Sequence, residues 1–329
     1  MVTINGVSVQ ENDILEFVSS HTPDVWELAK SLIPKWIKYI ETSSWYSSIP
    51  GVVLASVQTD KNLLVEWPKG TGKTTAIYYV AQETKNPLVS IQFTGHTGVD
   101  TLLGKWLIRD GKTYWQDGIF TMACRYGFWI VLDEINAALP EVTMALHSAL
   151  DDRRVIILDE KDGEVINIHP NTKIFATINP SWEYAGTKEM NAALVDRFAI
   201  KLFSSYPEQS KEVQIIMAQK SVKIWNNVLK WTKEWVITRI VKVANQLRNT
   251  KEKWLQGRIS ISSRELINWA TMCSLYPILE AFTLTVANKT EIGDVAIRDY
   301  LNKIASVEFS PDEVWVGDGD QSLINIDNL

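Results

Sequence analysis

From residue 62 onward the chain sets short apolar runs against helical stretches. The runs are NLLVEW (62–67), LVSIQF (88–93), FWIVLD (128–133), TKIFATI (172–178) and AIKLF (199–203). Apolar at successive positions and separated by helices, they predict a parallel sheet covered on both faces. Two segments break that rhythm. GKWLIRDGKTYWQDG and RRVIILDEKDGEVINIHP alternate around Asp110-Gly111 and Asp162-Gly163, which predicts two β-hairpins inserted on the sheet domain. Upstream, residues 1–48 read as helical. Val25, Leu28, Leu32, Ile33, Trp36, Ile37 and Ile40 recur at helical spacing with an interruption at Pro34, and SSWYSSIPG follows as a linker. After Tyr206-Pro207 the strands are expected to stop and helices to dominate to about residue 305. The expected organisation is a helical extension (1–48), an α/β domain (49–205), a helical domain (206–307) and an acidic tail (308–329).

Composition narrows the class. At 46% hydrophobic and 22% charged residues, the chain is neither disordered nor fibrous. Its net charge of −6 argues against a dedicated nucleic-acid binder. Two cysteines, Cys124 and Cys273, make neither a disulfide framework nor a metal spacing, so a reducing, cytoplasmic setting is expected. No signal peptide and no membrane span are expected from the pattern. Fourteen tryptophans are many for this length, and core filling is the expected use for most of them. The four histidines are scattered and suggest no ligand set.

The chemistry-bearing segment is WPKGTGKTT (67–75), placed between an apolar strand and a helix. Small residues there let backbone N–H groups converge on phosphate oxygens, and the helix N-terminus adds partial positive charge. Pro68, Lys69, Gly70, Thr71, Gly72, Lys73, Thr74 and Thr75 are therefore the candidate triphosphate cradle. Lys73 would reach the β- and γ-phosphates, and the Thr74 hydroxyl would ligate Mg²⁺. The motif usually opens with glycine, and here Trp67 stands in that place, which demands backbone that tolerates a Cβ. About 60 residues on, FWIVLDEINAALPE ends a buried strand in two carboxylates. Asp133 would hold Mg²⁺ and Glu134 would polarise the attacking water.

These motifs together resemble those of AAA+ ATPases. KIFATINP resembles the sensor-1 strand, with Asn179 in the place of the residue that orients the lytic water. NAALVDRF resembles a box whose arginine, here Arg197, is presented to a neighbouring subunit's nucleotide. SISSREL resembles sensor 2, with Arg264 as the arginine that touches the γ-phosphate. The run LDEINAALPEVTMALHSALDDRRV and the stretch NPSWEYAGTKEMNAALVDRF are similar to the MoxR-like branch, which takes in the CbbQ, NorQ and GvpN ATPases. The two Asp-Gly hairpins fall where that branch carries its insertions. The resemblance covers roughly residues 50–275.

It implies a P-loop α/β domain with a five-stranded parallel sheet, a helical lid, ATP and Mg²⁺ as ligands, and a hexameric ring that remodels, activates or assembles a client. The partner in this branch often carries a von Willebrand factor A domain. Its DxSxS motif is absent here, so such a domain would be on another chain. A nucleic-acid-linked motor and a nucleotide-gated scaffold stand as alternatives. The segment QFTGHTGVDTLL lacks the aromatic pore loop of protein-threading relatives. Arg153 and Arg154 are further candidates to face a neighbour. Residues 220–258 hold ten Lys or Arg against Glu234 and Glu252, read as a basic lid helix that is either solvated or docks an acidic partner or tail.

Overall fold

The structure is a computed structural model. It describes residues 2–4, 7–9, 18, 23–35, 37, 39, 48–68, 70–179, 190–203, 205–218, 221–224, 227–230, 233–250, 261–290 and 294–313. By internal contacts the chain forms two units, one made of residues 1–67 and 72–204, the other of residues 68–71 and 205–329.

The first unit is built on five parallel strands: β3 (Leu63–Glu66), β4 (Leu88–Gln92), β7 (Trp129–Asp133), β10 (Ile174–Ile178) and β11 (Ile200–Phe203). Their order is β11-β3-β10-β7-β4. Alternation along each strand sends side chains to two different cores. Leu64, Ile130, Leu132 and Ala176 enter one, and Leu63, Val65, Trp129, Val131 and Phe175 enter the other. A sheet buried on both sides has no polar face, which is why the runs are continuous in sequence. On the second face α2 (Ile49–Thr59) and α3 (Lys73–Glu83) supply Val53, Leu54, Ala76, Ile77 and Val80. The stretch expected as a linker ends inside α2. Ser48 accepts the Gly51 N–H at 3.2 Å as N-cap and Pro50 occupies the first turn, where its missing N–H costs nothing.

The N-terminal region departs from the helical expectation. β1 (Val2–Ile4) and β2 (Val7–Val9) pair antiparallel, with Ile4 opposite Val7. The alternation of VTI and VSV around Asn5-Gly6 is a hairpin signal stronger than any helical period there. Among the described residues, α1 (Pro23–Ser31) is a helix of the expected kind and Val18 is also helical; ENDILEF (11–17), just before Val18, lies outside the described residues. Residues beyond α1 bond to the sheet unit. Leu88 N–H donates to Leu32 O at 3.1 Å, Ile37 N–H donates to Gln82 Oε1 at 2.7 Å, and Tyr39 stacks on Tyr79.

Both expected hairpins are present. β5 (Gly104–Arg109) and β6 (Lys112–Asp117) lie between α4 (Val99–Leu103) and α5 (Ile119–Tyr126). β8 (Val155–Leu158) and β9 (Glu164–Asn167) precede β10. Between β7 and β8 run α6 (Pro140–Ala145) and α7 (His147–Leu150), and α8 (Ala192–Val195) precedes β11. Arg125 on α5 ties the two hairpins, donating to Asp117 at 2.9 Å and Glu164 at 3.1 Å.

The second unit comprises α9 (Gln209–Ala218), a hairpin of β12 (Ser221–Ile224) and β13 (Asn227–Lys230), and then α10 (Glu234–Arg248), α11 (Ser263–Met272), α12 (Ile278–Thr285) and α13 (Val295–Glu308). That hairpin corrects the expectation that strands end at Tyr206-Pro207. SVKIWNNVLK alternates with period two around two asparagines, a strand pattern rather than a helical one. The basic stretch is therefore a hairpin followed by a helix. Its helical part is also largely committed within the chain: Arg239 chelates Glu313, Lys242 pairs with Glu308, and Arg248 pairs with Glu212.

The last of these is the buried centre of the unit. Arg248 bonds both Glu212 oxygens at 2.7 and 2.9 Å, donates to Ile261 O at 2.7 Å and lies over the Tyr206 ring. Glu212 also accepts from Ser263. Around it, Trp269 is buried against Phe282 and Phe309, and its Nε1 donates to Ile278 O at 2.9 Å. Phe309 and Glu313 thus belong to the packing of this unit, and residues 314–329 lie outside the described residues. Among the described residues no helix is long and apolar enough to cross a membrane. Both cysteines are free and buried, and desolvation pushes the Cys273 thiol up to about 12.

Removing one partner of a fully buried ion pair strands the other in low dielectric. Glu212→Ala should lower stability by about 3–5 kcal/mol in urea unfolding. Lys289→Ala, which breaks an exposed pair with Glu265, should cost no more than about 1 kcal/mol.

Candidate nucleotide site

The first core strand, β3, leads directly into the phosphate loop. Trp67 has no left-handed backbone; it is buried in the core beneath the sheet, and its carbonyl accepts from Lys73 Nζ at 2.7 Å. The bulky residue is accommodated by packing rather than by a strained turn. Gly70 and Gly72 carry φ of 69° and 88°, and Thr71 Oγ1 donates to Pro68 O at 2.7 Å, which tightens the loop. Helix α3 opens at Lys73, and its N-terminus at Gly72 has no side-chain cap, which leaves the first-turn N–H groups directed at the loop. Of the expected cradle, Lys69 lies outside the described residues.

Lys73 is buried, and its ammonium donates to Trp67 O, to Ile178 O at 3.0 Å and to Asn179 Oδ1 at 2.6 Å. Asn179 in turn donates through Nδ2 to Glu134 Oε1 at 2.9 Å. One amide therefore joins the candidate phosphate-binding cation to the candidate base. Asn136 Nδ2 donates to Asn179 O at 3.3 Å and fixes the main chain behind it.

Asp133 closes β7, and Thr74 Oγ1 donates to its Oδ1 at 3.4 Å. These two oxygens are hard donors of the kind Mg²⁺ prefers, so the residues present fit that ion. Thr177, which no sequence motif marks, joins the site. Its hydroxyl donates to Asp133 Oδ1 and accepts the Glu134 N–H at 3.2 Å. A threonine in the otherwise apolar run IFATI (174–178) is the available signal. Glu134 itself stands at φ 56°, a region where a residue with a Cβ is sparse and where functional sites store strain. The Thr177 bond holds it there.

Arg197 is brought to a different place. It follows α8, and its guanidinium donates to two main-chain carbonyls, His147 O at 3.3 Å and Ala193 O. Among the described residues it forms no ion pair. Desolvation, with the cation of Arg197 beside it, holds the pKa of His147 below the usual imidazole range. Arg153 pairs with Asp151 at 2.7 Å, and Arg154 donates to Thr172 O at 2.7 Å.

Arg264 lies in the second unit, exposed in the first turn of α11. That turn is a capping box: Ser262 Oγ accepts the Glu265 N–H, and Glu265 accepts the Ser262 N–H at 2.7 Å. Residues 68–71 group with this unit, and Gly70 shows why. A Cβ at Gly70 would stand 2.6 Å from Ser262 Cβ and 3.4 Å from Arg264 Cβ.

A parallel sheet with a phosphate loop after its first core strand and a carboxylate pair after its third defines a P-loop nucleotide site. Comparison with known proteins agrees. Residues 62–198 match the AAA domain of the dynein-related subfamily. The chain is 35% identical to midasin of Dictyostelium discoideum over 56% of its own length and 3% of midasin's. It is 31% identical to protein NorQ of Paracoccus denitrificans, over 51% of this chain and 61% of NorQ. To the aerobic cobaltochelatase subunit CobS of a Sinorhizobium species it is 30% identical, over 78% of this chain and 79% of CobS. The chain belongs to the AAA+ ATPases, in their MoxR-like branch.

The two loop glycines should differ. Gly72→Ala meets open space and should cost only its backbone strain, about 1–2 kcal/mol in thermal unfolding. Gly70→Ala adds a collision with Ser262 and should cost more, with a larger loss of nucleotide affinity by titration.

Proposed function

We propose that the protein binds Mg²⁺–ATP and hydrolyses it to ADP and phosphate in a homo-oligomeric ring, hexameric by resemblance, to remodel, activate or assemble a client protein. The observation that carries the chemistry is the amide of Asn179 between Lys73 and Glu134. Lys73 serves the β- and γ-phosphates. Asn179 orients a water whose proton Glu134 takes as it attacks the γ-phosphorus. Mg²⁺, held by Thr74 and Asp133, would offset phosphate charge. Arg264 is assigned to the γ-phosphate. Arg197 is assigned to the nucleotide of the adjoining copy, where such a residue is worth about 10³–10⁵ in rate in related systems.

CobS is by name a subunit of a chelatase, which supports action on a partner chain. The client is proposed to reside on a separate polypeptide, with von Willebrand factor A domain proteins the first class to test. Buried, unreactive thiols suit a cytoplasmic setting.

Lys73→Ala should lose ATP affinity. Glu134→Gln should keep binding and lose on the order of 10²–10⁴ in turnover, read as phosphate release beside fluorescent-nucleotide titration. Equal loss of binding in both variants contradicts these roles. Mixing Arg197→Ala with Lys73→Ala protein under exchange conditions should give hydrolysis above the sum of the separate activities, because each supplies what the other lacks. A mixture that never exceeds that sum refutes action in trans.

A further inference from the structure

The hairpin β5–β6 has two chemically distinct faces. Trp106 and Trp115 pair across it on one face, and that pair touches the other hairpin of the same chain, while Ile108 beyond it on this face is 76% exposed. Trp106 Nε1 donates to Glu160 O at 2.8 Å, and Lys161 Nζ lies 5.9 Å from the Trp115 ring. Strand alternation sends the residues between them to the opposite face. There Lys105, Leu107 and Arg109 of β5 meet Gln116, Tyr114 and Lys112 of β6 in register. The three cations and Tyr114 are exposed, with Arg109 directed at the Tyr114 ring, and Asp110 in the turn offsets one charge. Among the described residues, none of these cations has an acidic partner within ion-pair distance.

The hairpin β8–β9 presents the complement. Ile156, Leu158 and Ile166 are buried, while Ile157 and Val165, directly opposite each other, are 43% and 57% exposed. The adjoining turn carries Asp159, Glu160 and Asp162, all exposed, against Lys161, which is already paired with Glu164 at 2.7 Å. Among the described residues these three carboxylates form no ion pair.

The basic face is turned away from its own acidic hairpin because the opposite face, through Trp106 and Trp115, is the one that touches it. We propose that it docks on the outer face of β8–β9 of a second copy, with Leu107 and Tyr114 over Ile157 and Val165 and the cations against Asp159, Glu160 and Asp162. The two patches differ, so the contact is head-to-tail and propagates from copy to copy, as a ring requires. This rests on the proposed ring assembly and names the surface that guides it.

The test uses the full chain with a non-hydrolysable ATP analogue, followed by sedimentation velocity across a concentration and salt series. Two double variants are made, Arg109→Glu with Lys112→Glu, and Asp159→Lys with Asp162→Lys; all four positions are exposed, and thermal unfolding verifies the fold. Each variant alone should weaken association by about tenfold or more at low salt, because like charges then face each other. An equimolar mixture should restore it, since alternating copies again oppose unlike charges at every contact. Variants that assemble as the parent protein does, or a mixture that stays dissociated, overturn the contact and leave the basic face to another kind of partner. A parent protein that remains monomeric at every concentration overturns the ring itself, whereas a parent ring with unaffected variants overturns this contact alone.

Discussion

An ammonium group leaves water only if oxygens replace it, and the burial of Lys73 organises the rest of the nucleotide site. The oxygens come from Trp67 at the end of β3, from Ile178 at the end of β10 and from the side chain of Asn179. Those positions converge because β3 and β10 are neighbours in a parallel sheet, with Leu63 beside Phe175 and Glu66 beside Ile178. Strand order, more than the loop, therefore sets where the cation sits. β7 is the next strand across, which brings Asp133 and Glu134 to the same edge, and Thr177 on β10 bonds both. The site is a consequence of parallel order read at the carboxyl ends of three adjacent strands.

The helical unit solves a related problem differently. Glu212 and Arg248 are a buried pair, and such pairs add little net stability when compared with apolar packing. What the pair does is orient. Arg248 uses its fork on Glu212 and its Nε on Ile261 O, so α9, α10 and the segment leading into α11 are fixed against one another. The first turn of α11, which carries Arg264, begins two residues beyond Ile261. Its Ser263 hydroxyl is bonded to the same carboxylate. A fully satisfied charge in each unit thus holds a residue proposed to meet phosphate.

Where the sequence spoke through local physics, it could be read. Runs such as FWIVLD needed both faces covered, and Asp-Gly pairs within alternating segments marked β5–β6 and β8–β9. The structure departs from the expectation where a long window hides a short pattern. Val2–Val9 alternates around Asn5-Gly6, but the following forty residues hold apolar positions at helical spacing, and that longer period dominates. Ser221–Lys230 lies within a stretch whose excess of Lys and Arg masks its short strand pattern. Thr177 is hidden for the opposite reason. A hydroxyl in a buried strand has no motif of its own, and its meaning appears only when Asp133 and Glu134 are folded beside it. Trp67 looked like a defect in the loop, yet its side chain belongs to the core and only its carbonyl belongs to the site.

The setting of Arg197 follows the same logic of what neutralises a charge. A guanidinium paired with a carboxylate within its own chain has little attraction left for phosphate. Arg197 instead takes the carbonyl oxygens of His147 and Ala193, which orient it without cancelling its charge. Desolvation and the charge of Arg197 lower the pKa of the His147 imidazole beside it, against the opposing effect of Asp151. Asp151, the nearby carboxylate, is engaged by Arg153 through its side chain and by the Arg153 main-chain N–H. Among the described residues Arg197 thus forms no ion pair, although its charge is felt by Asp151. An arginine oriented by carbonyls keeps its charge for the role proposed across a subunit boundary, whereas one committed to an ion pair would first have to give that pair up.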